Sequence, residues 1–241
     1  MDKKEVCKLI ERFTTDDVLY PQLRKPWIVD GVVYATDGRI AIRLENAAGL
    51  GYEHVRGEGD WRRNAAGDLD GWISESRAAI GSEMFELIGP YMLFLRKAAY
   101  MAMDDACKYA VDHCPETTDD IEEMTVDEAI DLYSVVILPG AKRHVIAAKY
   151  AVMVCDVADA FGPVEFFVPA GGFKRGDNGR YRIWCHGNGV DVLLMAIRSD
   201  GTSAYRMAVA DCATATLVHD ISDDSFVDFS RLQFGGATDG K

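Results

Sequence analysis

The sequence has no long hydrophobic run, and no apolar segment approaches the ~20 residues that a membrane-spanning helix needs. Its composition, 49% hydrophobic and 27% charged over 241 residues, is that of a soluble globular protein. Residues 1–13 carry charges but lack the apolar core and small-residue cleavage site of a secretory signal. We therefore predict a cytoplasmic protein that does not bind membranes.

Cysteine is sparse and scattered. The six cysteines are spread along the chain, whereas a disulfide framework is usually denser and belongs to small secreted domains. The nearest approach to a metal-binding set is Cys107, His113 and Cys114, but structural zinc sites favour cysteine pairs separated by two to four residues. We predict free thiols, no metal site and no cofactor.

Sequence signatures of catalysis are missing. The chain contains no phosphate-binding loop of the Gly-x-x-x-x-Gly-Lys-Ser/Thr type, no Gly-x-Gly-x-x-Gly after a strand and no His-Glu-x-x-His. A Gly-x-Ser-x-Gly nucleophile elbow is also missing. We predict that the protein is not an enzyme and assign no catalytic residues.

Basic residues are outnumbered, with 26 Lys and Arg against 39 Asp and Glu and a net charge of −13. This balance argues against indiscriminate binding to nucleic acid, because phosphate contacts need a basic surface. A local basic strip on an acidic body remains compatible with it. Residues 116–131 contain eight carboxylates and no base, which is typical of a solvated face or loop.

The N-terminal residues have the pattern of an amphipathic helix over residues 2–13. One buried face, with spacing i, i+3, i+4 and i+7, is formed by Val6, Leu9, Ile10 and Phe13. A separate basic stripe is formed by Lys4, Lys8 and Arg12. This stripe is either a solvated face or a strip that faces phosphates.

The stretch VVYATDGRIAIRL, residues 32–44, predicts a β-hairpin, because two runs of β-forming residues flank Asp37-Gly38. We expect a type I′ turn there, with positive φ at both central residues. Asp30-Gly31 predicts another tight turn just before it.

The remaining chain alternates apolar runs with turn residues. Residues 46–71 have the composition of a long loop, residues 84–114 are the most helical segment, and Val18–Tyr20 is expected to form a strand. The C-terminal half predicts a helix at 146–161 and strands at 133–138, 164–168, 180–185, 190–198, 204–209 and 214–218.

Five segments resemble, in chain order, pieces of the bacterial DNA polymerase III beta sliding clamp. The stretch YATDGRIAIRL is similar to the ATDGHRLA signature of that family. VCKLIERFT resembles the first helix of a clamp domain, and HVIAAKYAVMVCDVADAFG the second. PVEFFVP is similar to the strand that follows, and VDVLLMAIR to the closing YVVMPMR strand, although Ala196 replaces a proline.

The resemblance implies an α+β, DNA-clamp-like domain in which two helices pack side by side on curved antiparallel sheets. Residues 1–45 and 133–220 would form this discontinuous domain. Residues 46–132 have no counterpart in the family and are expected to be a loop and helical insertion, with 221–241 as a C-terminal tail. A bacterial clamp chain carries three such domains, whereas we expect one in this sequence.

In sliding clamps the two helices line a ring around duplex DNA and contact phosphates without reading sequence. The resemblance therefore implies a DNA-facing role for the basic residues of both helices. They are Lys4, Lys8 and Arg12 on the first helix, and Lys142, Arg143 and Lys149 at the second. The second helix also carries Asp156 and Asp159, which would repel phosphate.

In the same family, the ATDG hairpin and the closing strand of neighbouring domains line an apolar pocket that captures short peptides of polymerases and other replication proteins. Transferred position by position, this pocket comprises Thr36, Gly38, Arg39, Ile40, Leu193 and Met195. The alternative interpretation is a plain turn followed by an interior strand.

The resemblance implies a non-enzymatic sliding-clamp-like protein, a DNA polymerase processivity factor or a derivative of phage or mobile-element origin. Its expected partners are duplex DNA, replication-protein peptides and further copies of the chain in a homo-oligomer. The alternative is a protein-interaction or regulatory module that uses the scaffold without encircling DNA. An unrecognised enzyme is the third possibility.

Overall fold

The computed structural model describes residues 2–57, 59–80, 85–87, 92–113, 134–138, 144–169, 182–195, 208–211 and 216–218, and within these ranges the fold is α+β. The helices are α1 (Lys3–Glu11), α2 (Trp61–Ala78), α3 (Met92–His113) and α4 (Ala148–Phe161), with short 3-10 helices at Pro21–Leu23 and Ala48–Leu50. The strands are β1 (Trp27–Val29), β2 (Val32–Thr36), β3 (Ile40–Leu44), β4 (Glu53–His54), β5 (Phe85–Leu87), β6 (Ser134–Leu138), β7 (His144–Ala147), β8 (Glu165–Pro169), β9 (Arg182–Gly187), β10 (Val190–Met195), β11 (Ala208–Asp211) and β12 (Thr216–Val218).

Within the described ranges, the larger sheet has eight strands in the order β4-β1-β2-β3-β10-β9-β8-β5. Its neighbouring strands are antiparallel except for β4, which runs parallel to β1. The turn Asp30-Gly31 has φ values of 49° and 85°, and Asn188-Gly189 has 37° and 74°. Positive φ at both positions is the type I′ geometry, whose twist suits a two-residue hairpin.

Two similar halves supply six of the eight described strands of this sheet. In each half a helix precedes an antiparallel meander of three strands: α1 precedes β1, β2 and β3, and α4 precedes β8, β9 and β10. The third strands of the two meanders, β3 and β10, pair with each other at the centre of the sheet. Helices α1 and α4 contact one another and share one core, so two helices lie side by side on the same face.

The main core lies between the sheet and the helices α1, α3 and α4. It contains Ile10 of α1, Phe13 just after α1, Ile42 of β3 and Val192 of β10, all buried. Helix α1 begins with a capping box. The Asp2 carboxylate accepts a hydrogen bond from the Glu5 amide, and the Glu5 carboxylate accepts one from the Asp2 amide. The predicted apolar face of the first helix therefore faces the core.

The opposite face of the sheet packs on α2 in a smaller cluster. Ala66, Leu69 and Ile73 of α2 contact Trp27 of β1 and Trp184 of β9 in this cluster. Trp27 and Trp184 are completely buried. The sheet is thus covered by helices on both faces.

Two local expectations are wrong. A long loop was expected over residues 46–71, but residues 61–71 are the first eleven residues of α2. This helix is capped by Asp60, whose carboxylate accepts a hydrogen bond from the Arg62 amide. A strand was expected at Val18–Tyr20, but these residues form a turn. The Tyr20 amide donates a hydrogen bond to the Asp17 carbonyl, and Val18 is 77% exposed.

Segment 46–132 contributes to the same layers as the rest of the fold. Its strand β4 pairs with β1, and β5 pairs with β8 at the other edge of the large sheet. Its helix α3 packs against α4 and against β6. The expected helical content of this segment is present in α2 and α3, and both helices pack against elements outside it.

A second sheet has the order β12-β11-β6-β7 among the described strands. Strand β7 leads directly into α4, and α4 ends where Gly162 adopts a φ of 101° before Pro163. Within the ranges that the structure describes, no helix has the length and apolarity needed to cross a membrane. In the same ranges Cys7, Cys107, Cys155 and Cys185 form no disulfide, while Cys114 and Cys212 lie outside them.

Candidate functional site

The hairpin between β2 and β3 is closed by side chains of its own loop. The Asp37 carboxylate accepts the amides of Arg39 and Ile40 at 2.7 and 2.9 Å. The Thr36 hydroxyl accepts the Gly38 amide at 3.0 Å and donates to the Ile40 carbonyl at 2.8 Å. Because Thr36 pairs with Ala41, residues 37–40 form the connection.

The expected type I′ turn at Asp37-Gly38 is wrong. Gly38 has a φ of 90°, but Asp37 is not among the described residues with positive φ. The longer connection lets the Asp37 carboxylate cap the following amides, so that only one left-handed residue is needed. The hairpin itself is confirmed by the β2–β3 pairing.

Tyr150 of α4 anchors this hairpin to the helix layer. Its hydroxyl donates to Asp37 Oδ2 at 2.8 Å, and its side chain is buried. Burial and the adjacent Asp37 carboxylate raise the pKa of Tyr150. The hydroxyl therefore remains a neutral donor, and it holds the second oxygen of the carboxylate that caps the turn.

The last residue of the closing strand β10 contacts the hairpin connection. The Met195 amide donates to the Arg39 carbonyl at 2.9 Å, and the Met195 side chain is 52% exposed. Thr36, Gly38, Arg39 and Met195 therefore lie together at one end of the sheet, and we call these four residues the hairpin surface. The Leu23 side chain borders it, because a Cβ at Gly38 would lie 3.9 Å from Leu23 Cδ1.

The other two residues of the expected pocket lie in the core. Ile40 belongs to the main core and Leu193 to the cluster under α2, so they occupy opposite faces of the sheet. Both are almost completely buried. In the described structure both side chains are enclosed in the core and do not line an opening.

A stacked pair next to Met195 was missed by the sequence analysis. Arg182 of β9 is the cross-strand partner of Met195, and its guanidinium carbon lies 3.5 Å from the ring centroid of Trp72 in α2. Burial lowers the pKa of Arg182. The alternation of the segment RIWCHG would have placed Arg182 on one face with Trp184 and His186, but only the strand register brings it to Met195.

A row of polar side chains crosses the sheet beneath α2. Strand pairing places Tyr34, Arg43, Asp191 and His186 side by side on β2, β3, β10 and β9. All four lie on the face that packs against α2. The signal for this row is a charged residue within each of two otherwise apolar strands, IAIRL and VDVLLM.

Asp191 is the centre of the row, and its side chain is completely buried. Its carboxylate accepts hydrogen bonds from Arg43 at 3.2 Å, from Arg77 of α2 at 3.2 Å and from Trp184 Nε1 at 3.0 Å. His186 Nδ1 lies 2.8 Å from the same carboxylate. These contacts replace the water that the carboxylate loses on burial.

Asp70 of α2 closes the other end of the row. It accepts the Tyr34 hydroxyl at 2.9 Å and Arg43 Nε at 2.7 Å. Burial, and then the Asp70 carboxylate, raise the pKa of Tyr34. Burial disfavours the charge of Arg43, but its hydrogen bonds to Glu45 and Asp70 outweigh this and raise its pKa. The row therefore attaches α2 to the sheet at both ends.

The described residues among those expected to face DNA lie on or next to α1 and at the start of α4. Lys4 and Lys8 are exposed on α1, whereas Arg12 forms an ion pair with Asp156 of α4. Lys149 lies beside the Tyr150 ring, with its Nζ 5.4 Å from the centroid. Lys142 and Arg143 lie outside the described residues.

The two acids of α4 have cationic partners. Arg96 of α3 binds Asp156 at 3.1 Å and Asp159 at 2.8 Å, and Arg12 binds Asp156 from the other side. Most of the circumference of α4 is buried against the sheet, α1 and α3. The ion pairs of Asp156 and Asp159 thus link α4 to α3 and to the end of α1.

An open cleft of about 1140 Å³ lies between the end of α1 and the start of α2. Acidic and basic side chains are mixed in its walls, and Arg62 is already bound to Glu53 and Asp60. The lining side chains include Glu11, Asp16, Arg24, Lys25, Tyr52 and Trp61. Within the described ranges, no group of His, Cys, Asp or Glu side chains is arranged to hold a metal ion.

The fold and these sites were compared with known proteins. No protein-family model, curated protein or solved structure matches this chain.

Proposed function

We propose that the protein is a non-enzymatic protein-interaction module on a clamp-like scaffold, and that the hairpin surface binds a short apolar segment of a partner protein. The observation that carries this proposal is the half-exposed Met195, hydrogen-bonded through its amide to Arg39 of the hairpin. A large apolar side chain that remains exposed beside a rigid turn is available for a partner.

The clamp-like part of the proposal is supported by the internal repeat of the fold. Two helix-plus-meander halves join through β3 and β10, and α1 and α4 lie side by side on one face. This is the arrangement that the resemblance of the ATDG hairpin and the closing strand implies. Met195, Gly38 and Arg39 are matched positions of that resemblance.

The preference for an interaction module over a DNA ring is supported by the charges of the helix layer. Arg12 and Arg96 are bound to the acids of α4, so their charge is compensated within the protein. A phosphate that approached Arg12 would have to compete with Asp156 at contact distance. The net charge of −13 adds a general repulsion.

The test replaces Met195 by Asp. Peptides are first selected from a random display library on the immobilised wild-type protein, and their affinity is measured by fluorescence anisotropy. Because Met195 is half-exposed, the new carboxylate stays partly solvated, and we expect an unchanged thermal transition with peptide affinity reduced about tenfold or more.

Tyr100 on α3 provides the matched control, because it is 53% exposed against 52% for Met195. Tyr100→Asp is expected to bind the selected peptides like the wild type. If Met195→Asp loses its thermal transition, Met195 is a core residue and the peptide site is withdrawn. Equal affinity of both variants for every selected peptide also contradicts the proposal.

A sliding-clamp ring is the second candidate, and the paired α1 and α4 helices of the two halves favour it. A ring requires a multimer by light scattering and better retention on nicked circular plasmid than on the same plasmid linearised. Lys4→Glu with Lys8→Glu should then abolish retention, and wild-type binding should weaken with salt by about −0.9 in the log–log slope per phosphate contacted. A monomer that does not distinguish the two DNA forms excludes the ring and leaves the interaction module standing.

A further inference from the structure

The neighbourhood of Met195 contains a cation that lacks an ion-pair partner in the described structure. Arg182 lies opposite Met195 in the β9–β10 pairing, and its guanidinium stacks on Trp72 at 3.5 Å. In contrast, Arg43 and Arg77 on the same face are bound directly to carboxylates. None of the described carboxylates forms a salt bridge with Arg182.

The stacking prepares this guanidinium for a ligand. An arginine whose flat face lies on an indole ring keeps the N–H groups at its edge in one plane, and that plane matches the two oxygens of a carboxylate. The lowered pKa of Arg182 is caused by burial, with Glu75 and Asp68 opposing it only through longer-range attraction. A carboxylate at the edge of Arg182 would therefore neutralise a partly desolvated charge.

The geometry points to a partner segment that carries an Asp or Glu next to a large apolar residue, with the carboxylate bound by Arg182 and the apolar side chain packed on Met195. This inference rests on the proposed peptide site and names its ligand chemistry. It also makes Trp72 of α2 a positioning residue for Arg182, so that segment 46–132 takes part in the site.

The overall charge of the protein makes such a ligand selective. With a net charge of −13, most of the surface repels an acidic peptide. Arg182 on the neighbouring strand β9 and the exposed Arg39 in the hairpin connection flank Met195. An acidic apolar segment is therefore steered to this end of the sheet and rejected elsewhere.

The experiment uses the peptides selected on the wild-type protein, each synthesised with its acidic residue and with the matching amide. Dissociation constants are measured for wild type, Arg182→Gln and the control Arg56→Gln, which removes an exposed arginine in the loop after β4. We expect the amide peptide to bind about tenfold more weakly than the acid on wild type and on Arg56→Gln. On Arg182→Gln the two peptides should differ less than about twofold, because the pairwise interaction has been removed.

The outcomes separate this inference from the proposed function. Selected peptides without acidic residues, or an acid-to-amide effect that is unchanged in Arg182→Gln, overturn the inference while binding that depends on Met195 remains. Failure to select any peptide overturns the proposed function and the inference together. Should Arg182→Gln not fold, Arg182→Lys replaces it, and an acid-to-amide effect as large as in wild type then overturns the inference, since lysine lacks the planar donor pair.

Discussion

The two faces of the eight-stranded sheet are covered by helices in different ways. The face towards α1 and α4 is closed by apolar side chains such as Ile10 and Ile42. The face towards α2 has a smaller apolar cluster and the polar row centred on Asp191. Helices are therefore attached to the two faces of one sheet by physically different interactions, apolar burial on one face and hydrogen-bonded charges on the other.

The two solutions differ in what they specify. Apolar burial is non-directional and stabilises in proportion to the area removed from water, so α1 and α4 are held mainly by their buried stripes. Hydrogen-bonded charges add little net stability after desolvation, but they have strict geometry. The contacts of Asp70 with Arg43 and of Arg77 with Asp191 therefore fix where α2 lies along the sheet.

The largest expected effect comes from removing the buried carboxylate of the polar row. Asp191→Ala leaves the Trp184 N–H without its acceptor in the interior and removes one of the three carboxylates bound to Arg43. We expect the free energy of unfolding, measured by urea titration, to fall by about 3–5 kcal/mol. As a control, Asp70→Ala removes a carboxylate that is 45% exposed and should cost about 1 kcal/mol. Equal losses for the two variants would contradict a buried centre at Asp191.

A smaller loss is expected from a cavity on the apolar face. Ile42→Ala removes three buried carbons of β3 beneath the two helices and should lower the free energy of unfolding by about 2–4 kcal/mol. Ile80→Ala is the control, because Ile80 is 49% exposed after α2 and should change it by less than about 0.5 kcal/mol. A loss for Ile42→Ala as small as that of the control would mean that this face is loosely packed.

The smallest expected effect comes from removing one hydroxyl group, and it tests whether the helices on the two faces of the sheet are attached independently. Tyr34→Phe removes one donor to Asp70 and should cost about 1 kcal/mol. Hydrogen exchange should then become faster in α2 and remain unchanged in α1. Tyr52→Phe is the matched control, since its hydroxyl donates to the Cys7 carbonyl of α1 at 3.2 Å, and it should accelerate exchange in α1 instead. Faster exchange in the same helix for both variants would contradict independent attachment of the two layers.

Helix α2 shows why part of the fold was not predicted. Its buried positions Ala66, Leu69, Ile73 and Ser76 have helical spacing, so a periodicity signal was present. Glycine and alanine residues that stand between these positions weaken the signal and give the segment the composition of a loop. The helix is stabilised by tertiary contacts that local propensity does not reveal.

The candidate site also has parts that the sequence predicts and parts that it does not. The hairpin at Asp37-Gly38 follows from alternation and turn residues, which act over a few positions. Met195 as its neighbour is implied only by the resemblance to sliding clamps. Ile40 and Leu193 were expected in the same pocket, yet they lie on opposite faces of the sheet. Which face a residue occupies depends on strand register, and a shift of one residue reverses it.

The sequence by itself determined the local elements: the amphipathic helix α1, the hairpins at Asp30-Gly31 and Asp37-Gly38, and the helix α4 that ends at Gly162. Each follows from interactions between residues a few positions apart. Only the tertiary structure decided that Arg43 meets Asp191, 148 residues away, and that Arg182 stacks on Trp72 beside Met195. Such pairs depend on how strands and helices are arranged in space, and this arrangement cannot be deduced from the spacing of residues along the chain.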